Sequence, residues 1–267
     1  MISNELFEKI NEKYGDVASW AVWEDEGAKP KSNMGHSNIF DLQKNPSLLA
    51  TLKNNVVMVG LNFSRPLLPT EPFKNFHDLN PSANDFKIRY AFRNTEFYGA
   101  YMTDVIKNLE MKDSHDVQFH LKNNPELIQE NISLFCEELS DIEAKEPIIL
   151  AFGVDTYNLL NKHLKRNEYS KLIRLTHYSQ QIGKEDYKKA VFAQINGAIN
   201  FSPTIAGVLI DAHDLIKAQV ERIKKEHDRI SQIKNNTDEI AAINDLRSIA
   251  KELVELIQKR ESHNENE

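Results

Sequence analysis

Residues 55–61 have the sequence Asn-Val-Val-Met-Val-Gly-Leu, which is apolar from its second residue onward. A continuous apolar run of this length is typical of a strand buried on both faces of a parallel sheet, because a half-exposed strand alternates apolar and polar residues. Three further runs share this character: Tyr98–Thr103, Pro147–Phe152 and Leu172–Thr176. We therefore predict a four-stranded, mostly parallel sheet.

Amphipathic helical patterns lie between these strands. One covers Asp85–Phe92, a second begins at Pro125, and a third covers Val154–Leu164. Proline is favoured at the first position of a helix, and apolar residues three or four apart form one buried face. Repeated strand–helix–strand units predict an α/β fold with three-layer α/β/α architecture.

The pattern changes at Thr204, after which apolar residues recur at helical spacing with little punctuation. The segment Asn235–Asp238 interrupts this pattern, and Thr237 is a candidate N-cap. We predict an α/β domain over residues 1–203 and a C-terminal helical hairpin over residues 204–267. Acidic residues outnumber basic ones in the hairpin, which favours a packing element or a homodimer contact over a DNA-binding arm.

Composition narrows the class of protein. The 267 residues are 40% hydrophobic and 27% charged, as in an ordinary globular protein. The single cysteine, Cys136, excludes a disulfide framework, a multi-thiolate zinc site and a four-cysteine iron–sulfur cluster. His115 and His120 are spaced five apart in a polar segment and lack partners, so we predict no metal and no other cofactor.

The N-terminus has no apolar core of a signal peptide, and the apolar runs are too short to span a membrane. We expect a cytoplasmic protein without a membrane partner. The net charge of −7 excludes a strongly basic nucleic-acid-coating protein, but it leaves room for a locally basic face.

Polar residues follow three of the predicted strands, at the sheet edge where parallel sheets bind ligands. Asn62 follows the first strand, Asp104 the second and His177 the fourth. Each alone has a simpler explanation as a turn residue, a helix N-cap or a loop hydrogen-bonding residue. Because the architecture brings all three to one rim, together they form a candidate site.

Four segments, in this order, resemble the motifs of the uracil-DNA glycosylase-like superfamily. Val-Val-Met-Val-Gly-Leu-Asn-Phe-Ser resembles its first motif, a strand followed by Gly-x-Asn-Pro-Gly, with Phe63 and Ser64 replacing Pro-Gly. Ala-Tyr-Met-Thr-Asp-Val-Ile-Lys-Asn is similar to the base-recognition strand, and Ile-Ile-Leu-Ala-Phe-Gly to a later structural strand. Leu-Thr-His-Tyr-Ser resembles the terminal His-Pro-Ser motif, with Tyr178 replacing Pro. The resemblance covers most of residues 55–180.

The resemblance implies a monofunctional DNA glycosylase, which hydrolyses the N-glycosidic bond of a base flipped out of the helix. His177 would then donate a hydrogen bond to the O2 atom of the departing base. Asn62 would orient the attacking water, since an amide cannot act as a strong base. Phe76 occupies the family's base-stacking position and Phe63 is the second candidate, although either ring could simply belong to the core.

Asp104 departs from the family, whose uracil-specific members have Asn there. An ionised Asp only accepts hydrogen bonds, and the exocyclic amine of a cytosine-like base donates them. We therefore expect an altered, cytosine-like pyrimidine to be preferred over uracil, in repair or in defence against phage with modified DNA. The competing explanation places Asp104 at a helix N-cap, outside the pocket.

A basic window supports DNA as the partner. Residues 162–189 contain eight Lys or Arg and three acids, although a solvated surface is the simpler interpretation. In the family a side chain after the His motif enters the duplex, and Gln181 or Ile182 holds that place. The predicted DNA contacts are Ser64, Arg65, Ser179, Gln181, Ile182 and Lys184.

Two other function classes stay open at this stage. The same fold could bind nucleic acid or nucleotides without hydrolysing them, as the loss of Pro-Gly after Asn62 suggests. It could also act on free nucleosides or nucleotides, with turnover that needs no DNA.

Overall fold

A computed structural model of the chain describes residues 2–27, 29–63, 71–78, 83–107, 109, 111 and 114–199. By its contacts the chain divides into two units, Met1–Ser202 and Pro203–Glu267, and every described residue belongs to the first. The predicted helical hairpin over residues 204–267 lies outside the described residues. So do two predicted DNA contacts, Ser64 and Arg65.

The described unit is an α/β fold, as predicted, built on a five-stranded sheet. Its strands are β1 (Ser19–Trp20), β2 (Lys53–Asn62), β3 (Ala100–Ile106), β4 (Ile148–Phe152) and β5 (Lys171–Leu175). They lie in the order β1-β3-β2-β4-β5. Strands β2 to β5 pair in parallel, and β1 pairs antiparallel with β3. The sheet is therefore mostly parallel.

Two details of the predicted sheet are wrong. The sheet has five strands rather than four, because β1 has only two residues and leaves no pattern in the sequence. Strand β3 continues beyond its predicted end at Thr103 to Ile106. Asp104 therefore lies within a strand, and the alternative that it caps the next helix is wrong.

Seven α-helices occur in the described part of the chain. They are α1 (Asn4–Tyr14), α2 (Leu48–Thr51), α3 (Phe86–Phe92), α4 (Ser114–Asn123), α5 (Pro125–Asp141), α6 (Val154–His163) and α7 (Lys184–Ile199). Short 3-10 helices cover Ser37–Phe40 and Arg166–Glu168. Pro125 begins α5, as predicted, because its missing N–H leaves no helical hydrogen bond unmade at that position. No described helix is long and apolar enough to cross a membrane.

Alternating residues of the central strands pack into two separate apolar clusters. Val57 and Val59 belong to one cluster together with Phe135 of α5, and we name it the Val57 cluster. Met58 belongs to the other together with Phe152, and we name it the Met58 cluster. Helices α3 and α7 pack into the Met58 cluster. Gly60 and Asp104 are paired in register, and the alternation places both on the Met58 side of the sheet.

Candidate active site

Asp104 is the most enclosed of the polar residues predicted for the site that the structure describes. Its side chain is 5% exposed, and its Oδ2 accepts a hydrogen bond of 2.9 Å from Nδ2 of Asn75. The neighbouring strand approaches it closely, because a Cβ atom on Gly60 would lie 2.1 Å from Oδ1 of Asp104. Glycine at position 60 therefore makes the room in which this carboxylate lies.

Asn75 connects this carboxylate to the loop that carries Phe76. Besides Asp104, the Asn75 amide donates to the carbonyl of Val17 at 2.8 Å, and its Oδ1 accepts from the backbone N–H of Phe76 at 3.0 Å. Phe76 has φ of +61°, a left-handed conformation that is rare for an aromatic residue. The indole N–H of Trp23 also donates to the Phe76 carbonyl, at 3.3 Å. These bonds hold a strained backbone in one conformation.

The Phe76 ring is 3% exposed and packs in the Met58 cluster, next to both Gly60 and Tyr178. A Cβ atom on Gly60 would be 3.4 Å from its Cζ atom. Its ring centroid is 6.5 Å from that of Phe152 and 6.3 Å from that of Tyr178. Phe76 therefore joins the Asp104 side of the site to the segment that carries His177.

His177 is held as a neutral imidazole in one tautomer. The backbone N–H of Ser179 donates to Nδ1 at 3.2 Å, and the Ser179 hydroxyl lies 2.7 Å from the same nitrogen. Because Nδ1 accepts, the proton of the neutral ring is on Nε2. Burial lowers the pKa of His177 to about 4, so the ring is uncharged at neutral pH. Within the described residues, no hydrogen-bond partner occupies Nε2.

Two contacts constrain the ring of His177, and two hydrogen bonds to backbone carbonyls hold the loop that carries it. It stacks on Tyr178 with centroids 4.4 Å apart. Its Cδ2 atom would lie 3.3 Å from a Cβ atom on Gly153, whose φ is +90°. The His177 carbonyl accepts from the backbone N–H of Gln180 at 3.0 Å, and Nζ of Lys87 donates to the Gln180 carbonyl at 2.7 Å. The loop after β5 is thus tied to helix α3.

Asn62 is the last residue of β2, and the NH₂ group of its side chain is already hydrogen-bonded. Its Nδ2 donates to the carbonyls of Leu109 at 3.1 Å and Met111 at 2.8 Å. Both amide protons are used in this way, so Oδ1 is the atom left to accept from a ligand. The half-buried side chain lies in register with Ile106, beyond the Gly60–Asp104 pair on the same strands.

No match is found when the chain is compared with models of protein families, with curated proteins and with solved structures. The chemistry of the site therefore rests on the residues themselves. Contacts through Asn75 and Tyr178 join Asp104, Phe76 and His177 into one group. The Asn62 amide instead bonds to the segment that follows β3.

The remaining predicted residues have either buried or exposed side chains. Phe63 is 2% exposed and its N–H continues the sheet by donating to the Ile106 carbonyl at 3.1 Å. Ile182 packs against the Met58 cluster, whereas Gln181 is exposed. Of the two candidates for insertion into a duplex, only Gln181 therefore presents an exposed side chain.

Two predicted DNA contacts already have protein partners. The Ser179 hydroxyl and N–H both bond to the imidazole, so this residue orients His177. Lys184 forms an ion pair of 3.4 Å with Glu26, and its Nζ lies 4.2 Å from the centroid of the Tyr90 ring. A phosphate near Lys184 would compete with Glu26.

Asn75, Gly60 and Tyr178 contribute to the site but were not predicted as site residues. Gly60 and Tyr178 each adjoin a predicted residue or motif, and Asn75 directly precedes Phe76. The sequence signal for Asn75 was its adjacency to an aromatic residue in a polar loop. Its bond to Asp104 joins positions 29 residues apart, so the tertiary fold was needed to identify it.

Proposed function

We propose that this chain is a DNA glycosylase with a uracil-DNA glycosylase-like fold that excises an altered, cytosine-like pyrimidine. The observation that carries the proposal is the neutral His177, whose proton is kept on Nε2 by the Ser179 donors. A preorganised donor of this kind stabilises the negative charge that develops on a departing base.

The proposed reaction replaces the C1′–N1 bond of the nucleotide by a C1′–O bond. The C1′–N1 bond of the nucleotide breaks with its electron pair going to the base, where the charge spreads to O2. The Nε2–H of His177 donates a hydrogen bond to O2 as this charge grows. A water oxygen bonds to C1′ on the opposite face and releases a proton to solvent, and the departed base anion takes up a proton from solvent, which leaves an abasic site and the neutral free base.

Asn62 orients the attacking water in this proposal. Its Nδ2 is held by the carbonyls of Leu109 and Met111, which fixes the amide plane. Its Oδ1 is therefore held in place to accept a hydrogen bond from the water. An amide oxygen takes no proton from the water, so water attack follows the departure of the base. This favours substrates whose base leaves readily.

Asp104 supports the preference for a cytosine-like base. Its carboxyl group accepts from Asn75, and it can accept in the same way from the N4 amine of cytosine. Phe76 lies beside it, but its ring is 3% exposed and packs in the Met58 cluster, so it belongs to the core below the site and presents no open face on which a base could stack. In uracil the O4 atom stands in place of this amine and would face the carboxylate with a second acceptor.

The test is an excision assay on oligonucleotides containing uracil or modified cytosines, with abasic-site formation followed on a gel. We expect a modified cytosine to be the best substrate of the wild type, and Asp104→Asn to shift preference toward uracil. His177→Ala should lower the rate about 10²–10³-fold, as expected for loss of one charge-stabilising donor. His120→Ala, which replaces a half-buried histidine on α4, serves as the control with unchanged rate.

Two results would overturn this proposal. One is uracil as the best substrate of the wild type, which would remove the role of Asp104. The other is full activity in both His177→Ala and Asn62→Ala, which would remove both catalytic assignments.

A non-catalytic nucleic-acid or nucleotide binder on the same fold is the second candidate. It is favoured by one observation, namely that the side chain placed to contact the water is an amide and not a carboxylate. Tight binding of DNA or of a nucleotide with no product after long incubation would select this candidate.

A further inference from the structure

A second cleft opens on the other side of the sheet from Asp104. Its volume is about 510 Å³, within the range of ligand-binding clefts, and it lies between helices α4 and α6. Leu61, Leu121 and Leu159 line it. Leu61 and Leu121 belong to or border the Val57 cluster, so the cleft has a firm apolar floor.

One aromatic ring on the rim is unusually exposed. Phe119 of α4 lines the cleft and is 64% exposed, although burying a phenylalanine ring is strongly favourable. Two exposed lysines, Lys122 and Lys162, line the same cleft. Neither forms an ion pair with another described residue. Among the described residues that line the cleft, Asp155 is the one acid.

We propose that this cleft binds an unpaired stretch of nucleic acid, with one base stacked on Phe119 and the adjoining phosphates at Lys122 and Lys162. Aromatic rings between cationic side chains are how proteins bind single strands without sequence preference. Stacking on Phe119 requires a base whose face is free, so the cleft selects single-stranded over duplex DNA. The inference builds on the proposed DNA substrate and adds the strandedness of that substrate.

Position in the fold connects the cleft to the candidate active site. Leu61 lines the cleft, and Asn62 is the next residue of β2. Because side chains alternate along a strand, Asn62 lies on the opposite face of the sheet. A strand whose flipped base reaches the active site can therefore continue over the edge of β2 toward Phe119. The lysines match phosphates better than they match an apolar peptide, which is why we assign the cleft to nucleic acid.

The experiment measures binding and needs no excision. Fluorescence anisotropy of a fluorescein-labelled oligo-dT, and of a duplex of the same length, is followed with the full chain and its variants. Phe119→Ala should weaken oligo-dT binding about fivefold or more, as expected for loss of one stacked base, and leave duplex binding unchanged. Lys162→Ala should reduce the slope of log affinity against log salt by about 0.7.

Leu134→Ala is the matched control, since Leu134 on α5 is also exposed and apolar but does not line the cleft. Wild-type affinity of Phe119→Ala for oligo-dT would overturn the inference. So would a change from dimer to monomer in Phe119→Ala with oligo-dT binding intact, because the occupant would then be a second copy of the chain.

The outcomes separate this inference from the proposed function. Excision activity combined with no effect of Phe119→Ala on binding would refute the cleft assignment alone. Loss of oligo-dT binding in Phe119→Ala, in a protein that excises no base, would refute the glycosylase assignment alone.

Discussion

At the scale of single residues, the charge state of His177 decides what the site can do. A cationic imidazolium needs a proton on both nitrogens, but Nδ1 accepts from the Ser179 N–H and hydroxyl. Protonation would therefore break the bond from the Ser179 backbone N–H, reverse the one with its hydroxyl, and place a charge against Tyr178 and Gly153. A neutral donor is the form that these neighbours stabilise.

The first prediction concerns the titration of this ring. Burial lowers the pKa of His177 to about 4, below the ordinary value of about 6.5. A lowered pKa in the folded state contributes stability above about pH 6.5, and that contribution is lost as the pH falls toward 4. Ser179→Ala removes a donor that favours the neutral ring, so we expect it to raise the pKa of His177.

The measurement is an NMR titration of the imidazole signals, with His177→Ala assigning the signal. A midpoint near the ordinary histidine value in the wild-type chain would contradict the buried, neutral ring. An unchanged midpoint in Ser179→Ala would contradict the role given to the hydroxyl.

At the scale of elements, a buried ion pair holds strand β3 on the face of the sheet opposite the Asp104 side chain. Glu138 of α5 is fully buried, and its Oε2 lies 2.6 Å from Nζ of Lys107. Its Oε1 accepts from the hydroxyls of Tyr101 and Thr103 at 2.8 and 2.9 Å. Lys107 also donates to the Asp104 carbonyl at 2.8 Å. The pair therefore secures the backbone that presents the Asp104 carboxylate on the opposite face.

The second prediction is that Lys107→Met destabilises the protein by about 3–5 kcal/mol, because it leaves the Glu138 carboxylate buried without a counter-charge. Urea denaturation gives the free energy of unfolding. Arg93→Met is the control, since it breaks an exposed ion pair of 2.7 Å with Asp25 and should cost much less. Equal losses in the two variants would show that the Lys107–Glu138 pair contributes no more than an exposed one.

The elements also show which features the sequence could predict. Strands β2, β3 and β4 were predictable because burial on both faces leaves continuous apolar runs, whereas β5 alternates buried residues with the exposed Lys171 and Arg174. Strand β1 was not, since two residues carry no periodicity and its pairing depends on β3. The left-handed backbone of Phe76 was equally hidden, because glycine or asparagine is the residue expected there.

At the scale of the whole molecule, the N-terminal helix is joined to helix α5 by two carboxylates, Glu137, which pairs with Lys13 at 2.6 Å, and above all Asp141. Asp141 at the end of α5 accepts from Lys13 at 2.6 Å, Tyr14 at 2.7 Å and Lys9 at 3.0 Å, all on α1. Burial acts to raise the pKa of Asp141, but the hydrogen bonds from α1 hold that pKa well below its usual value.

The third prediction follows from this lowered pKa. Because the folded-state pKa lies below the unfolded value of about 3.9, Asp141 contributes stability above that pH and loses it as the pH falls further. Asp141→Asn should be less stable than the wild type at neutral pH, and the difference should shrink in acid. Urea denaturation from neutral to acidic pH measures it.

Asp116→Asn is the control, since it changes an exposed carboxylate on α4. Its free energy of unfolding should change with pH as that of the wild type does. A difference in the free energy of unfolding between Asp141→Asn and the wild type that stays constant with pH would contradict the prediction.

Across the molecule, the α/β class was predictable, and so was the position of the polar residues near the carboxyl ends of the strands. The order of strands and helices determines where these strand ends meet. Asp104 and His177 lie at that edge. The bond from Asn75 to Asp104 and the close approach of Gly60 were not predictable, since both depend on how distant segments pack. The sequence thus indicated residue types at the site, and the packing determined which atoms are available.

The two outer strands of the sheet bear on how the molecule behaves at high concentration. An open strand edge offers unpaired backbone groups to another chain and invites aggregation. One edge here is β1, whose two residues are too few to template a foreign strand. The other is β5, which exposes Lys171 and Arg174, and like charges repel a second copy approaching edge to edge. Within the described residues, both outer strands therefore disfavour the addition of a further strand, β1 because it is short and β5 because it is charged.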